Sequence, residues 1–233
     1  MRGIYMQIPL PFTLPDYATW EAIYAGPNQM AVHDLRAFSA GEGETFVFVA
    51  GELGTGKTVL LQTVCQAVHK RHQVPIYLPL AEVHLYGPAV LEELAQYPYV
   101  CIDDLELVVG QGAWEEAVFV LFNEMRTRGH HLLIAADQVP AQLGVQLPDL
   151  RSRLQSGLVC SLKRLDDSEW QAALQNLAAY VGLALPDEVA QFLLRRLPRT
   201  MDQLYQTFNT LNAASLAEQR KLTIPFVKSV LAV

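Results

Sequence analysis

The residues best suited to do chemistry are Gly51-Glu52-Leu53-Gly54-Thr55-Gly56-Lys57-Thr58. They match G-x-x-x-x-G-K-[ST] in full, between an apolar run and a helical pattern. Glycines at these spacings let a loop wrap so that backbone N–H groups point inward at phosphate oxygens. The helix that follows adds the positive end of its dipole. Lys57 is spaced to reach β- and γ-phosphates, and the Thr58 hydroxyl to ligate Mg²⁺.

A second group of residues supports the first. Tyr99-Val100-Cys101-Ile102-Asp103-Asp104 is an apolar strand pattern that ends in two acids. A strand buried on both faces tolerates carboxylates only at its end, where metal or water meets them. Asp103 suits Mg²⁺, directly or through water. Asp104 suits orienting an attacking water, with a loop cap as the plainer alternative. A third apolar run, 132–136, ends in Asp137. That residue either senses a γ-phosphate at the same sheet edge or caps the turn before Pro140.

Such residues need a frame. Strand patterns fall at 45–50, 75–80, 99–102, 131–136 and 158–162. Helical patterns fall at 58–71, 89–96 and 113–128. Strands apolar throughout and alternating with helices imply a parallel sheet covered on both faces. After Lys163 the strand signals stop, and 166–181, 186–197, 199–216 and 224–231 read as helices. Asp166 or Asp167 suits the N-cap of the first, and Pro186 the first turn of the second. The expected division is an extended tail over 1–16, an α/β domain over 17–163 and a small helical domain over 164–233. Pro9, Pro11 and Pro15 deny the tail a stable helix.

The chain has 233 residues, 51% hydrophobic, which excludes disorder as its main state. Its formal charge of −7 argues against coating nucleic acid through a general field, while leaving room for a local basic patch. Arg195, Arg196, Arg220 and Lys221 are either solvated faces or such a patch. Cys65, Cys101 and Cys160 are scattered in apolar runs and read as buried thiols of a reducing compartment. His130 and His131 lack partners at metal-ligand spacing. No run approaches the ~20 apolar residues of a membrane span. The N-terminus lacks a signal-peptide pattern, so a soluble cytoplasmic protein is expected.

A P-loop, an Asp-Asp strand, a polar strand tip and then a helical lid resemble, in that order, the AAA+ ATPases. Leu147-Pro-Asp-Leu-Arg-Ser-Arg-Leu154 resembles the segment of initiator-type members that carries the arginine finger. Arg199, at the start of a lid helix, resembles their sensor 2 arginine. With the C-terminal run Gln219-Arg-Lys-Leu-Thr-Ile-Pro-Phe-Val-Lys228, the whole chain is similar to the Hda-type proteins, DnaA-related regulators of bacterial replication initiation.

The resemblance implies an α/β AAA+ fold with a C-terminal lid and bound ADP or ATP with Mg²⁺. The phosphate contacts would come from Gly51, Gly54, Thr55, Gly56, Lys57 and Thr58, with Asp137 and Arg199 as sensors. Thr58 and Asp103 would serve the metal, and Arg153 and Asp104 the catalysis. It also implies pairing with ATP-bound DnaA beside the DNA polymerase III sliding clamp on DNA, and stimulation of DnaA's hydrolysis, Arg153 acting in trans. DNA is then met through the clamp, since a DNA-binding domain is expected to be lacking.

Asp104 stands where many AAA+ enzymes have Glu, one methylene shorter, which implies weak hydrolysis of its own. Gln7-Ile8-Pro9-Leu10-Pro11-Phe12 resembles a clamp-binding motif, with Gln7, Leu10 and Phe12 as anchors; packing on its own domain is the alternative. By the resemblance, Trp20 and Tyr24 stand where the family's adenine contacts begin; the alternative is core aromatics. For Arg153 the alternative is an ion pair with Asp149 or Asp166, and Arg151 competes as the finger. A self-contained ATPase such as a DnaC-type helicase loader, and a nucleotide-gated adaptor, remain as other functions, and homo-oligomers are possible.

Overall fold

Five short runs of β-branched and large apolar residues form the strands β1 (Phe46–Ala50), β2 (Pro75–Pro79), β3 (Tyr99–Asp103), β4 (His131–Ala136) and β5 (Leu158–Ser161). A computed structural model describes residues 14–232. The clamp-type residues Gln7, Leu10 and Phe12 lie outside them. The strands make one parallel sheet in the order β2-β3-β4-β1-β5.

Strand alternation divides the core. Phe46, Phe48 and Ala50 of β1 face one side, and Val47 and Val49 the other. The first side is covered by α4 (Gly112–Arg128) and α5 (Pro148–Leu154). The second is covered by α1 (Gln29–Ala40) and α2 (Lys57–Lys70). A single turn, α3 (Leu80–Val83), follows β2.

Several elements differ from the sequence expectation. The helical pattern over 89–96 is two 3₁₀ turns, Pro88–Leu91 and Leu94–Gln96, broken at Glu93, whose φ is 63°. A non-glycine in that region cannot continue a helix. The second strand stops at Pro79, where α3 takes over. α1 had no counterpart in the strand and helix patterns, and the 147–154 segment is itself helical from Pro148.

The lid holds α6 (Asp167–Tyr180), α7 (Asp187–Leu194), α8 (Met201–Glu218) and α9 (Ile224–Leu231). Asp166 caps α6 in a reciprocal box: its Oδ1 accepts from Glu169 N at 2.8 Å, and its own N–H donates to Glu169 Oε2 at 2.8 Å. Pro186 is the N-cap of α7 rather than a first-turn residue, and α8 starts two residues after Arg199, with Thr200 as its N-cap. Phe208, Leu211 and Phe226 centre the lid core, which Tyr17 and Ala22 join from the other end of the chain. The Tyr180 hydroxyl donates to Asp16 O and the Asn176 amide to Ala22 O, so residues 16–22 brace the lid. Asn28 pins the last residue of the α/β domain just before the lid, donating to Lys163 O at 2.9 Å and accepting from Lys163 N at 2.8 Å. Among the described residues no helix is long and apolar enough to cross a membrane.

Candidate nucleotide site

The strand order brings the carboxyl ends of β1, β3 and β4 to one edge, with β4 between the other two. Residues 51–56 leave β1 there and turn into α2. Gly54 and Gly56 have φ values of 84° and 95°, a region that side-chain-bearing residues adopt only under strain. Lys57, the first residue of α2, is 7% exposed. Its Nζ donates to Gly51 O at 2.6 Å and reaches Glu52 O at 3.5 Å. A buried ammonium satisfied by loop carbonyls, with no carboxylate in ion-pair range among the described residues, fits a site built for phosphate. Thr58 follows, exposed at the mouth of the loop.

The acids gather opposite. Asp103, 1% exposed, ends β3; its Oδ1 accepts from Asp104 N at 3.1 Å and its Oδ2 from the Tyr77 hydroxyl at 3.0 Å. Asp104 has a φ of 61°. Burial, then the Asp103 charge, push its carboxyl pKa up, and Lys57 opposes them. Glu106 is raised too, by burial foremost and further by Asp137 and Asp104. The Glu106 Oε2 accepts from Asp137 N at 3.2 Å. Asp137 Oδ1 is buried and lacks a hydrogen-bond partner among the described residues. Such an orphan oxygen and clustered carboxylates suit a bound cation or a hydroxyl donor. No three metal-ligating side chains converge among the described residues, so Mg²⁺ here would rely on phosphate oxygens and water as well as protein.

Beside the loop lies an apolar cleft between the two domains. Ile23, Tyr24, Val59 and Leu60 form one wall, and Leu165, Trp170 and Met201 the lid wall, with Gly54, Thr55 and Gly56 at its floor. Its apolar and aromatic lining suits a heterocycle next to the phosphate loop. Tyr24 is therefore in the cleft. Trp20 instead packs under Arg36, whose guanidinium carbon lies 5.3 Å from the ring centre. Arg199 pairs with Asp167 Oδ1 at 2.6 Å and sits 6.0 Å over the Trp170 ring, at the cleft's lid side.

Other residues fall elsewhere. Arg153 is half-buried on α5 and pairs with neither Asp149 nor Asp166 among the described residues. Arg151 is exposed on the same helix. His131 stacks on Tyr99 at 4.5 Å and His130 Nδ1 lies 3.0 Å from Ala95 O; both are at the opposite sheet edge. The three cysteines are free and buried.

Sequence reasoning missed Tyr77, Glu106, Leu165, Trp170 and Arg164, whose guanidinium pairs with Glu52 of the loop at 3.1 Å. Only Trp170 carried a local hint, an aromatic in the first turn of a lid helix.

A protein of Haemophilus influenzae, described only as uncharacterized, is 42% identical over 97% of this chain and 98% of its own length. The family described as "Hda, lid domain" matches residues 166–231, and the bacterial DnaA ATPase domain matches residues 89–161. The chain belongs to the Hda-like, DnaA-related AAA+ proteins. Its fold is shared by domain III of Thermotoga maritima DnaA, with a TM-score of 0.72 and 22% identity over 95% of this chain and 98% of that one. AMPPCP-bound DnaA from Aquifex aeolicus is similar at a TM-score of 0.69 and 21% identity, over 88% of this chain and 68% of that one. A fold of this family implies nucleotide binding, and the loop, the acid cluster and the cleft are the candidate region for it.

Proposed function

We propose that this chain is a negative regulator of chromosomal replication initiation. With the DNA-loaded sliding clamp, it presents Arg153 to ATP held by DnaA and stimulates its hydrolysis. The observation that carries the reading is Arg153 itself, half-buried on a short surface helix and without a carboxylate partner among the described residues. A guanidinium so placed can neutralise charge developing on a γ-phosphoryl group held by a neighbour.

The chain's own site holds an adenine nucleotide, ADP or ATP. Lys57 and the loop N–H groups bind the phosphates, and the base lies between Tyr24, Leu165 and Trp170. Mg²⁺, when bound, would neutralise phosphate charge, and Thr58 together with Asp103, directly or through water, would hold it. Asp137 and Arg199 report on the terminal phosphate, and Asp104 supports at most slow turnover. The AMPPCP-bound DnaA of similar fold supports adenine as the base. DnaA and the clamp are the proposed partners, and DNA is met through the clamp.

Asp104, Glu106 and Asp137 around Lys57 favour a second reading, a self-contained AAA+ ATPase such as a DnaC-type helicase loader. One assay separates them: ATP hydrolysis by DnaA, by this chain, and by both together with DNA-loaded clamp. The regulator reading requires stimulated hydrolysis only in the full mixture, well above the sum of the separate rates. Equal hydrolysis by the chain alone would sink it.

A further inference from the structure

We propose that Glu115 positions the arginine helix α5 and thereby fixes where Arg153 is presented; the consequence for a partner's nucleotide rests on the function proposed above. Glu115 lies in the first turn of α4 and is 3% exposed, an unusual place for an acid. Its Oε1 accepts from Gly110 N at 2.8 Å and from Gln146 N at 3.0 Å. Its Oε2 accepts from Gln146 N at 3.1 Å and from Leu147 N at 2.6 Å. Leu147 is the N-cap residue of α5. One carboxylate therefore grips both the loop that leaves the Asp103–Asp104 strand and the loop that enters the arginine helix.

The physical argument is that α5 cannot hold itself. It has 7 residues, begins with Pro148 and lacks a side-chain cap bond. A helix this short is not stable alone. Leu150 and Leu154 are 1% and 0% exposed and anchor it by two buried side chains one turn apart. Two such anchors on one face leave rocking about the helix axis weakly resisted. The entry loop supplies further constraint, through the buried Val145 and through backbone N–H groups donated to a buried carboxylate. Burial pushes the Glu115 carboxyl pKa up, yet the N–H groups of Gln146, Gly110 and Leu147 more than reverse this and take it below the usual glutamate range. The grip thus persists at neutral pH. A guanidinium that must meet a transferring phosphoryl group loses rate steeply when misplaced by about 1 Å. Glu115 touches no reacting atom, so its role is positioning.

The test uses Glu115→Gln, which keeps the shape but sets an amide NH₂ against backbone N–H donors, with Arg153→Ala as control. Two readouts are needed: amide hydrogen exchange over 145–154 and stimulation of DnaA-bound ATP hydrolysis. Exchange over 145–154 should quicken at least about tenfold while that of β1 and β4 is unchanged, and ADP affinity should stay within about twofold. Maximal stimulation should fall at least about tenfold, with the half-saturating concentration of the chain unchanged.

Unchanged exchange over 145–154 overturns the proposal. So does a parallel loss of ADP affinity and of protection throughout the α/β domain, which marks a general structural role. Altered exchange with wild-type stimulation, beside an inactive Arg153→Ala, overturns the link to Arg153. If Arg153→Ala itself stimulates normally, the proposed function fails, and the exchange result still decides whether Glu115 holds α5. Should Glu115→Gln fail to fold, Glu115→Asp, which retains the charge at shorter reach, is read in the same way.

Discussion

The Tyr77 hydroxyl donates to Asp103 Oδ2 across the β2–β3 pair, where Tyr77 stands opposite Cys101, while the other carboxylate oxygen accepts from Asp104 N. Burial foremost, then the Asp103 charge and hydrogen bond, drive the phenol's pKa far up, so it stays a donor throughout the working pH range. Both oxygens of Asp103 are thus held in fixed directions. Tyr77→Phe frees one of them. Hydrogen bonds to a charged group are worth about 1.5–3 kcal/mol, so ADP binding in Mg²⁺ should weaken at least about tenfold. Binding in EDTA should change less than about twofold, because phosphate contacts to the loop remain. Calorimetric titration under both conditions checks this, and equal losses in the two would reduce Tyr77 to packing.

Lys57 is buried against its own loop carbonyls, so its removal weakens ligand binding and also takes a donor from the Gly51 carbonyl, at some cost to the fold. A ligand at about 100 times its Kd stabilises the folded state by about 2.7 kcal/mol, a rise in Tm of roughly 5–10 °C for a chain of this size. The wild type should rise by that amount with ADP, and Lys57→Ala by less than a third of it. A melting scan with and without ADP decides, and a wild type indifferent to ADP would count against the site.

Gly157 sits where the chain turns from α5 into β5. A Cβ there would meet the Phe46 side chain and come within 2.6 Å of Phe46 O, a backbone atom that cannot swing away. Gly157→Ala should cost about 1–3 kcal/mol, read as a lower urea midpoint with an unchanged m-value. An unaltered midpoint would show that β5 shifts without cost.

What the sequence reveals of this site depends on whether the signal is local. The phosphate loop reads directly because its glycines and Lys57 are contiguous, and Asp103 because a carboxylate ends an apolar run. Glu115 does not read, since acids on amphipathic helices normally face water. Gly110, Gln146 and Leu147 together explain its burial, and the last two lie some 31 and 32 residues on. Tyr77 and Glu106 are hidden for the same reason, their partners lying on other strands and loops. The pattern over 89–96 misleads because Leu91 and Ala95 are buried at helical spacing, yet Glu93 turns the chain left-handed between them. α1 escaped because its core face mixes Ala31 and Ser39 with Val32, Leu35 and Phe38, which blurs the apolar stripe.

The tail residues Gln7, Leu10 and Phe12 offer an amide and two apolar anchors flanked by Pro9 and Pro11, which limit the entropy lost on docking. Changing all three to Ala should lower clamp affinity at least about a hundredfold, some 2.7 kcal/mol, and leave Tm within about 1 °C. Surface plasmon resonance on immobilised clamp reads the first quantity and a melting scan the second. Undiminished clamp binding by the triple variant would move the contact elsewhere on the chain.

Arg153 and Arg151 share α5, and only one needs to reach a partner's phosphate. Arg151 is exposed, free to contribute to general attraction between surfaces. Arg153 is half-buried, one residue before the fully buried Leu154, and its guanidinium is without a carboxylate among the described residues. A partly buried guanidinium with no carboxylate partner among the described residues suits a group that must meet charge only in a transition state. Arginine fingers contribute about 10³–10⁵ in rate. Arg153→Ala should therefore retain Tm, ADP affinity and clamp binding, and lose stimulation of DnaA-bound ATP hydrolysis by at least about a hundredfold. Arg153→Lys should recover little of it, because an ammonium lacks the planar fork. Arg151→Ala should instead raise the concentration of chain needed for half-maximal stimulation and leave the maximal rate within about threefold. The two variants exchanging these effects would make Arg151 the finger. Full stimulation by Arg153→Ala and Arg151→Ala alike would remove α5 from the reaction.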